Sequence, residues 1–91
     1  MKTVDEILEM AAANGWEDNC SLWKRQNVVA QISTLIDGWQ ATVTTLVNGD
    51  ITWSITPDTA QGRPQRGKAD SVDKAMDTAR EAVSNRLGVL F

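Results

Sequence analysis

Apolar residues at the start of the chain recur every third or fourth place. Val4, Ile7, Leu8 and Ala11 form one stripe at helical spacing, with Asp5, Glu6 and Glu9 set between them. Thr3-Val4-Asp5-Glu6 has the form of a capping box, in which a hydroxyl and a carboxylate satisfy amides that the first helical turn leaves free. The pattern predicts a helix over about 4–13, with Gly15 after Asn14 as its stop. From Trp16 to Gln26 the pattern weakens: Ser21 could cap a short turn carrying Leu22 and Trp23, or the segment is an ordered loop.

The period then changes from helical to alternating. Runs rich in Val, Ile, Thr and Trp over about 27–36, 39–47 and 51–56 are divided by Asp37-Gly38 and Asn48-Gly49, pairs suited to the positive φ of hairpin turns. A two-residue loop at Asp37-Gly38 sets Ile36 opposite Trp39, Thr34 opposite Ala41, Ile32 opposite Val43, Ala30 opposite Thr45 and Val28 opposite Val47, and so keeps one apolar face. At the second turn a two-residue loop would put the apolar residues of the third run on the polar face of the second. A three-residue loop of Asn48, Gly49 and Asp50 pairs Val47 with Ile51, Thr45 with Trp53 and Val43 with Ile55, so an odd-length loop or a bulge is expected there. The opposite face then carries Gln31, Ser33, Gln40, Thr42, Thr44, Thr52, Ser54 and Thr56.

Residues 57–70 hold both prolines and read as a long connection, within which Arg66–Ala69 could add a short fourth strand. Ser71 caps a second helix over about 72–87, whose inner stripe is Val72, Ala75, Met76, Ala79, Ala82, Val83 and Leu87, with Gly88 beyond its end. Together the elements predict a single α+β domain over residues 1–91: an N-terminal helix, a three-stranded antiparallel meander, and a C-terminal helix packed on one sheet face. Val28, Ala30, Ile32, Ile36, Trp39, Ala41, Val43, Val47, Ile51, Trp53 and Ile55 are expected beneath that last helix.

Composition narrows the chemistry. A hydrophobic fraction of 42%, a charged fraction of 23% and a net charge of −3 describe a folding chain without the positive field that drives nucleic-acid affinity. Cys20 has no cysteine partner and histidine is absent, which excludes a disulfide framework, a Cys/His zinc site and serine–histidine catalysis. The twelve carboxylates show no metal-ligand or acid–base spacing, and no glycine-rich phosphate loop is present, so the expectation is a protein that is not an enzyme and uses no metal or cofactor. No uncharged stretch is long enough to span a bilayer, and the acidic start is unlike a secretory signal, so a cytoplasmic location is expected.

Candidate contact residues therefore have to be surface groups. Asp73, Asp77 and Glu81 recur at i, i+4 and i+8 and share one edge of the last helix, where they could imitate a row of phosphates. Lys74 and Arg80 lie among them and could pair with them. Arg63, Arg66 and Lys68 gather in the long connection, and Lys24 and Arg25 flank Trp23, which makes two small basic patches. Of the four tryptophans, Trp39 and Trp53 belong to the core, while Trp16 and Trp23 read as satellite packing or as interface anchors.

Three resemblances follow from these residues. The order helix, meander, helix, with Gly67-Lys68-Ala69-Asp70-Ser71 leading into Ala75 and Ala79, resembles the double-stranded-RNA-binding domain. Val72 and Asp73 stand where that family sets phosphate-gripping lysines, so its RNA-binding role is not carried over. The stretch from Ala69 to Val83 is similar to the sheet-to-helix junction of HicB-type antitoxins. Size, charge and architecture resemble the small phage-encoded anti-CRISPR and anti-defence proteins. That last resemblance implies a protein-binding inhibitor of a host nucleoprotein defence complex, acting in the host cytoplasm, with direct nucleic-acid binding unexpected. The alternative is an antitoxin-like or RNA-binding-like module that contacts nucleic acid through the basic loop.

Overall fold

The computed structural model describes residues 3–18, 28–57 and 64–89, with side chains up to residue 85 of the last helix. It is an α+β structure in the order α1 (Val4–Ala13), β1 (Glu17–Asp18), β2 (Val28–Ile36), β3 (Trp39–Leu46), β4 (Ile51–Pro57), β5 (Gln65–Ala69) and α2 (Val72–Val89). The strands form one antiparallel sheet in the order β1-β2-β3-β4-β5. The expected three-stranded meander is thus its centre, and the sheet has five strands. The two additions are short edge strands: Gln65–Ala69 is the fourth strand allowed for at Arg66–Ala69, while Glu17–Asp18, two residues long, is too brief to stand out from loop sequence.

Helix α1 starts as its capping box dictates. The Glu6 amide donates to the Thr3 hydroxyl at 3.2 Å, and the Thr3 amide donates to Glu6 Oε1 at 3.5 Å. It ends in a Schellman arrangement: Gly15 takes φ +81°, its amide donates to the Ala12 carbonyl, and the Trp16 amide donates to the Ala11 carbonyl at 2.8 Å. That turn aims Trp16 into the core, where it is 3% exposed, as the satellite-packing reading expected. Val4, placed in the inner stripe by its spacing, is the first residue of the helix and is 38% exposed.

The first hairpin has the two-residue loop expected, with Asp37 and Gly38 both at positive φ and Ile36 opposite Trp39. Pairing runs as anticipated to Ala30 opposite Thr45. There a bulge intervenes, so Val28 lies opposite Leu46 rather than Val47, and Val29 packs against the core instead. The second hairpin does have an odd loop, but one place earlier than expected. Leu46 accepts from the Gly49 amide at 3.0 Å and its own amide donates to Asp50 at 2.8 Å, so the loop is Val47, Asn48 and Gly49.

The reason is conformational. This loop needs its third residue at positive φ, and Gly49, at +95°, takes that place. Thr45 therefore pairs with Ile51, Val43 with Trp53 and Ala41 with Ile55. The register differs by two residues from the expected one, so the same face stays apolar. Val47 leaves the sheet face and is 59% exposed in the turn.

The long connection is shorter than residues 57–70, since Pro57 closes β4 and Gln65 opens β5; residues 58–63 lie outside the described set. Lys74's amide donates to the Ser71 hydroxyl at 3.2 Å, the cap anticipated for α2. The helix continues through Gly88 to Val89, past the stop expected at Gly88. Ile7, Ala11 and Trp16 join Ala30, Ile32, Trp39, Ala41, Val43, Trp53, Ile55 and the Val72–Val83 stripe in one contiguous core. Both helices therefore lie on the same sheet face, α1 over β1 and β2 and α2 over β3, β4 and β5.

Candidate functional site

The apolar stripe of α2 turns Ala75, Ala79 and Val83 to the sheet, so residues on the far side of that helix must face water. Asp73, Asp77 and Glu81 are accordingly exposed, about 6 Å of helix rise separating each from the next. The cations that sequence spacing offered them are engaged elsewhere. Lys74 stands 3.8 Å from Asp70, and Arg80 donates from Nη2 to the Asn14 carbonyl at 2.9 Å. The latter bond ties α2 to the C-terminal end of α1, where free carbonyls favour a cation. Among the described residues no cation pairs with Asp73, Asp77 or Glu81.

The basic group is placed differently. Gly67 pairs with Trp53 on the covered face, so Arg66 and Lys68 project from β5 to the other face, opposite Ser54 and Thr52. Two rows then cross the sheet. One runs Glu17, Ser33, Thr42, Ser54, Arg66, and the other runs Gln31, Thr44, Thr52, Lys68. Within the second, Gln31 Nε2 donates to Thr44 Oγ1 at 3.0 Å. Lys68 lies 3.7 Å from Asp50, which neutralises part of its charge. The Asp73, Asp77 and Glu81 edge and the Arg66 and Lys68 pair thus lie on opposite sides of the sheet. Arg63 and Trp23, also expected at a contact surface, lie outside the described residues.

A third place was not legible in the pattern. Between the start of α1, the β3–β4 turn and the start of α2 is a cleft of about 450 Å³, lined by Glu6, Ile7, Thr45, Gly49, Ile51, Asp70, Ser71 and Val72. Thr45 belongs to the covered face, is 2% exposed, and its hydroxyl has no hydrogen-bond partner among the described residues. A buried unpaired hydroxyl costs roughly 1–3 kcal/mol. Its one sequence signal was a lone polar residue at an inward position of β3.

No family model, no curated protein and no solved structure matches the chain. Function must therefore be argued from these surfaces. Among the described residues no group of three or more His, Cys, Asp or Glu side chains is placed to hold a metal ion. No described helix is long and apolar enough to cross a membrane.

Proposed function

We propose that this protein is a non-enzymatic binding protein that occupies a cationic surface of a larger partner with the acidic edge of α2. The observation that carries this reading is that, among the described residues, no cation pairs with Asp73, Asp77 or Glu81, although Lys74 and Arg80 share their helix. Three carboxylates in a line, without an ion-pair partner among the described residues, present a negative edge, and such a field steers association with a positive surface. Asp5, Glu6 and Glu9 on α1, all exposed on the same side of the sheet, add to it. A nucleic-acid-binding groove is the kind of surface that would accept it. The protein then acts as a phage-type inhibitor of a host nucleoprotein defence complex, of the anti-CRISPR kind.

Affinity capture from a bacterial lysate, with the wild type beside the Asp73→Lys, Asp77→Lys, Glu81→Lys variant, tests this. The wild type should retain a nucleoprotein whose binding weakens as salt rises, and the variant should lose it. Equal retention by both would remove the acidic edge from consideration. A second reading rests on Arg66 and Lys68, which share the polar sheet face with a hydroxyl ladder and could meet phosphates. A mobility shift with duplex RNA or DNA at low salt, lost in Arg66→Gln, would favour it.

A further inference from the structure

Both described helices pack on one face of the sheet, and the other face carries two features that complement each other. At the β1–β2 corner is a hollow of about 550 Å³, lined by Gly15, Glu17, Ser33, Thr34, Leu35 and Gln40. Its one charged group is the Glu17 carboxylate, and Leu35, 68% exposed, gives it an apolar wall. At the opposite edge Arg66 projects from β5 and is exposed. Neither Glu17 nor Arg66 has an ion-pair partner among the described residues.

The strand register places these two groups in one row. Glu17 lies opposite Ser33, Ser33 opposite Thr42, Thr42 opposite Ser54 and Ser54 opposite Arg66, so Thr42 on β3 is the midpoint. Two strand spacings, about 10 Å, separate it from each end. A second copy laid face to face on this sheet, about a two-fold axis parallel to β3, sets β1 of one over β5 of the other. Each Arg66 then enters the hollow beside the other copy's Glu17, and the contact occurs twice. Facing sheets lie about 10 Å apart and about 30° from parallel, a gap and an offset that an arginine and a glutamate side chain span together. A two-fold axis across the strands is disfavoured, since it stacks Glu17 on Glu17 and Arg66 on Arg66.

The ground between the two contacts suits the same arrangement. Ser33, Thr42, Thr44, Thr52 and Ser54 are partly exposed, and a hydroxyl both donates and accepts, so this surface is complementary to itself. Leu35 shares a row with Gln40 and Thr56, and the same axis lays it on the Thr56 methyl of the other copy. Any other partner must bring a cation and an anion at matching spacing, whereas a second copy brings both by symmetry. We infer that this sheet face is an interface between two copies of the chain. Its side chains cover an area of roughly 20 Å by 20 Å, and so small and polar an interface gives a weak dimer, half formed at about 0.1–1 mM. The acidic edges of α2 remain on its two outer surfaces.

Sedimentation equilibrium of the full chain from about 10 µM to about 1 mM tests this. The apparent mass should rise from 10.0 kDa toward twice that value. Amide shifts that change with concentration should fall on Ser33, Leu35, Thr42 and Ser54. Glu17→Lys and Arg66→Glu each set like charges together at both contacts and should weaken association about tenfold. Mixed in equal amounts, the two variants regain a cation and a carboxylate at each contact, so the mixture should associate about as tightly as the wild type, which misfolded chains would not do. A wild type that keeps the monomer mass at the highest concentration, single variants that associate as it does, a mixture no tighter than either variant alone, or shifts confined to α2 would overturn the inference. So would a monomeric wild type that binds duplex RNA or DNA and loses it in Arg66→Glu, a result that assigns the face to phosphates.

Discussion

Gly67 lies opposite Trp53 across the β4–β5 ladder, and the indole fills the space that a side chain at position 67 would need. A Cβ built there would sit 2.9 Å from Nε1 and 3.0 Å from Cε2 and Cζ2 of Trp53. The contact joins the last edge strand to the core, because Trp53 is buried while β5, among the described residues, has a neighbour on one side only. Gly67→Ala must push a rigid ring within a packed interior, so it should destabilise the protein by about 1–3 kcal/mol in denaturant unfolding. The loss should be accompanied by faster amide exchange in β5.

Gly49 sets the register of β3 on β4 through its positive φ and its bond to Leu46. Gly49→Ala should cost about 1–2 kcal/mol, since an L residue pays that much in the left-handed region. Val47, exposed in the same turn, should tolerate Thr within about 0.5 kcal/mol. Deleting Asn48 should do far more damage, because a two-residue loop would turn the apolar side of β4 to water. Thermal unfolding of the three variants should order them accordingly.

Arg80 joins α2 to the last turn of α1 through the Asn14 carbonyl, 66 residues distant in the chain. Arg80→Met keeps the stem and removes the charge. A stability loss of about 0.3–1 kcal/mol is expected, smaller at high salt. Exchange protection should fall first in α1.

Removing the acidic edge should leave the fold intact. Because Asp77 and Glu81 take part in no ion pair among the described residues, Asp77→Asn with Glu81→Gln should shift stability by no more than about 0.5 kcal/mol. Equilibrium urea unfolding is the check. A larger loss would show that these carboxylates support the structure and would undercut their assignment to binding.

The two helices and the three central strands could be read from local patterns because each is long enough to repeat its own period. Val4 to Ala11 completes two helical turns, and the runs on either side of Asp37-Gly38 each alternate several times. Glu17-Asp18 and Gln65–Ala69 are held by hydrogen bonds to β2 and β4; the second was open to reading as a short strand at Arg66–Ala69, whereas two residues are too few for Glu17-Asp18 to announce itself. Of the candidate surface groups, the exposure of Asp73, Asp77 and Glu81 followed from helical geometry alone. The capture of Arg80 by Asn14 did not, because a partner 66 residues away is a matter of distance in space, whereas Asp70 lies at i,i+4 spacing from Lys74 and competes locally.

Alternation and turn chemistry settled which face of the central strands is apolar, because side-chain direction in a strand depends only on parity and an odd loop preserves it. The exact pairing of Thr45 with Ile51, the placing of Arg66 and Lys68 away from the acidic edge, and the cleft above Thr45 came only with the tertiary structure. Each of these depends on how elements distant in sequence meet. The shape and charge of a cleft belong to the space between α1, the β3–β4 turn and α2, and no one segment encodes that space.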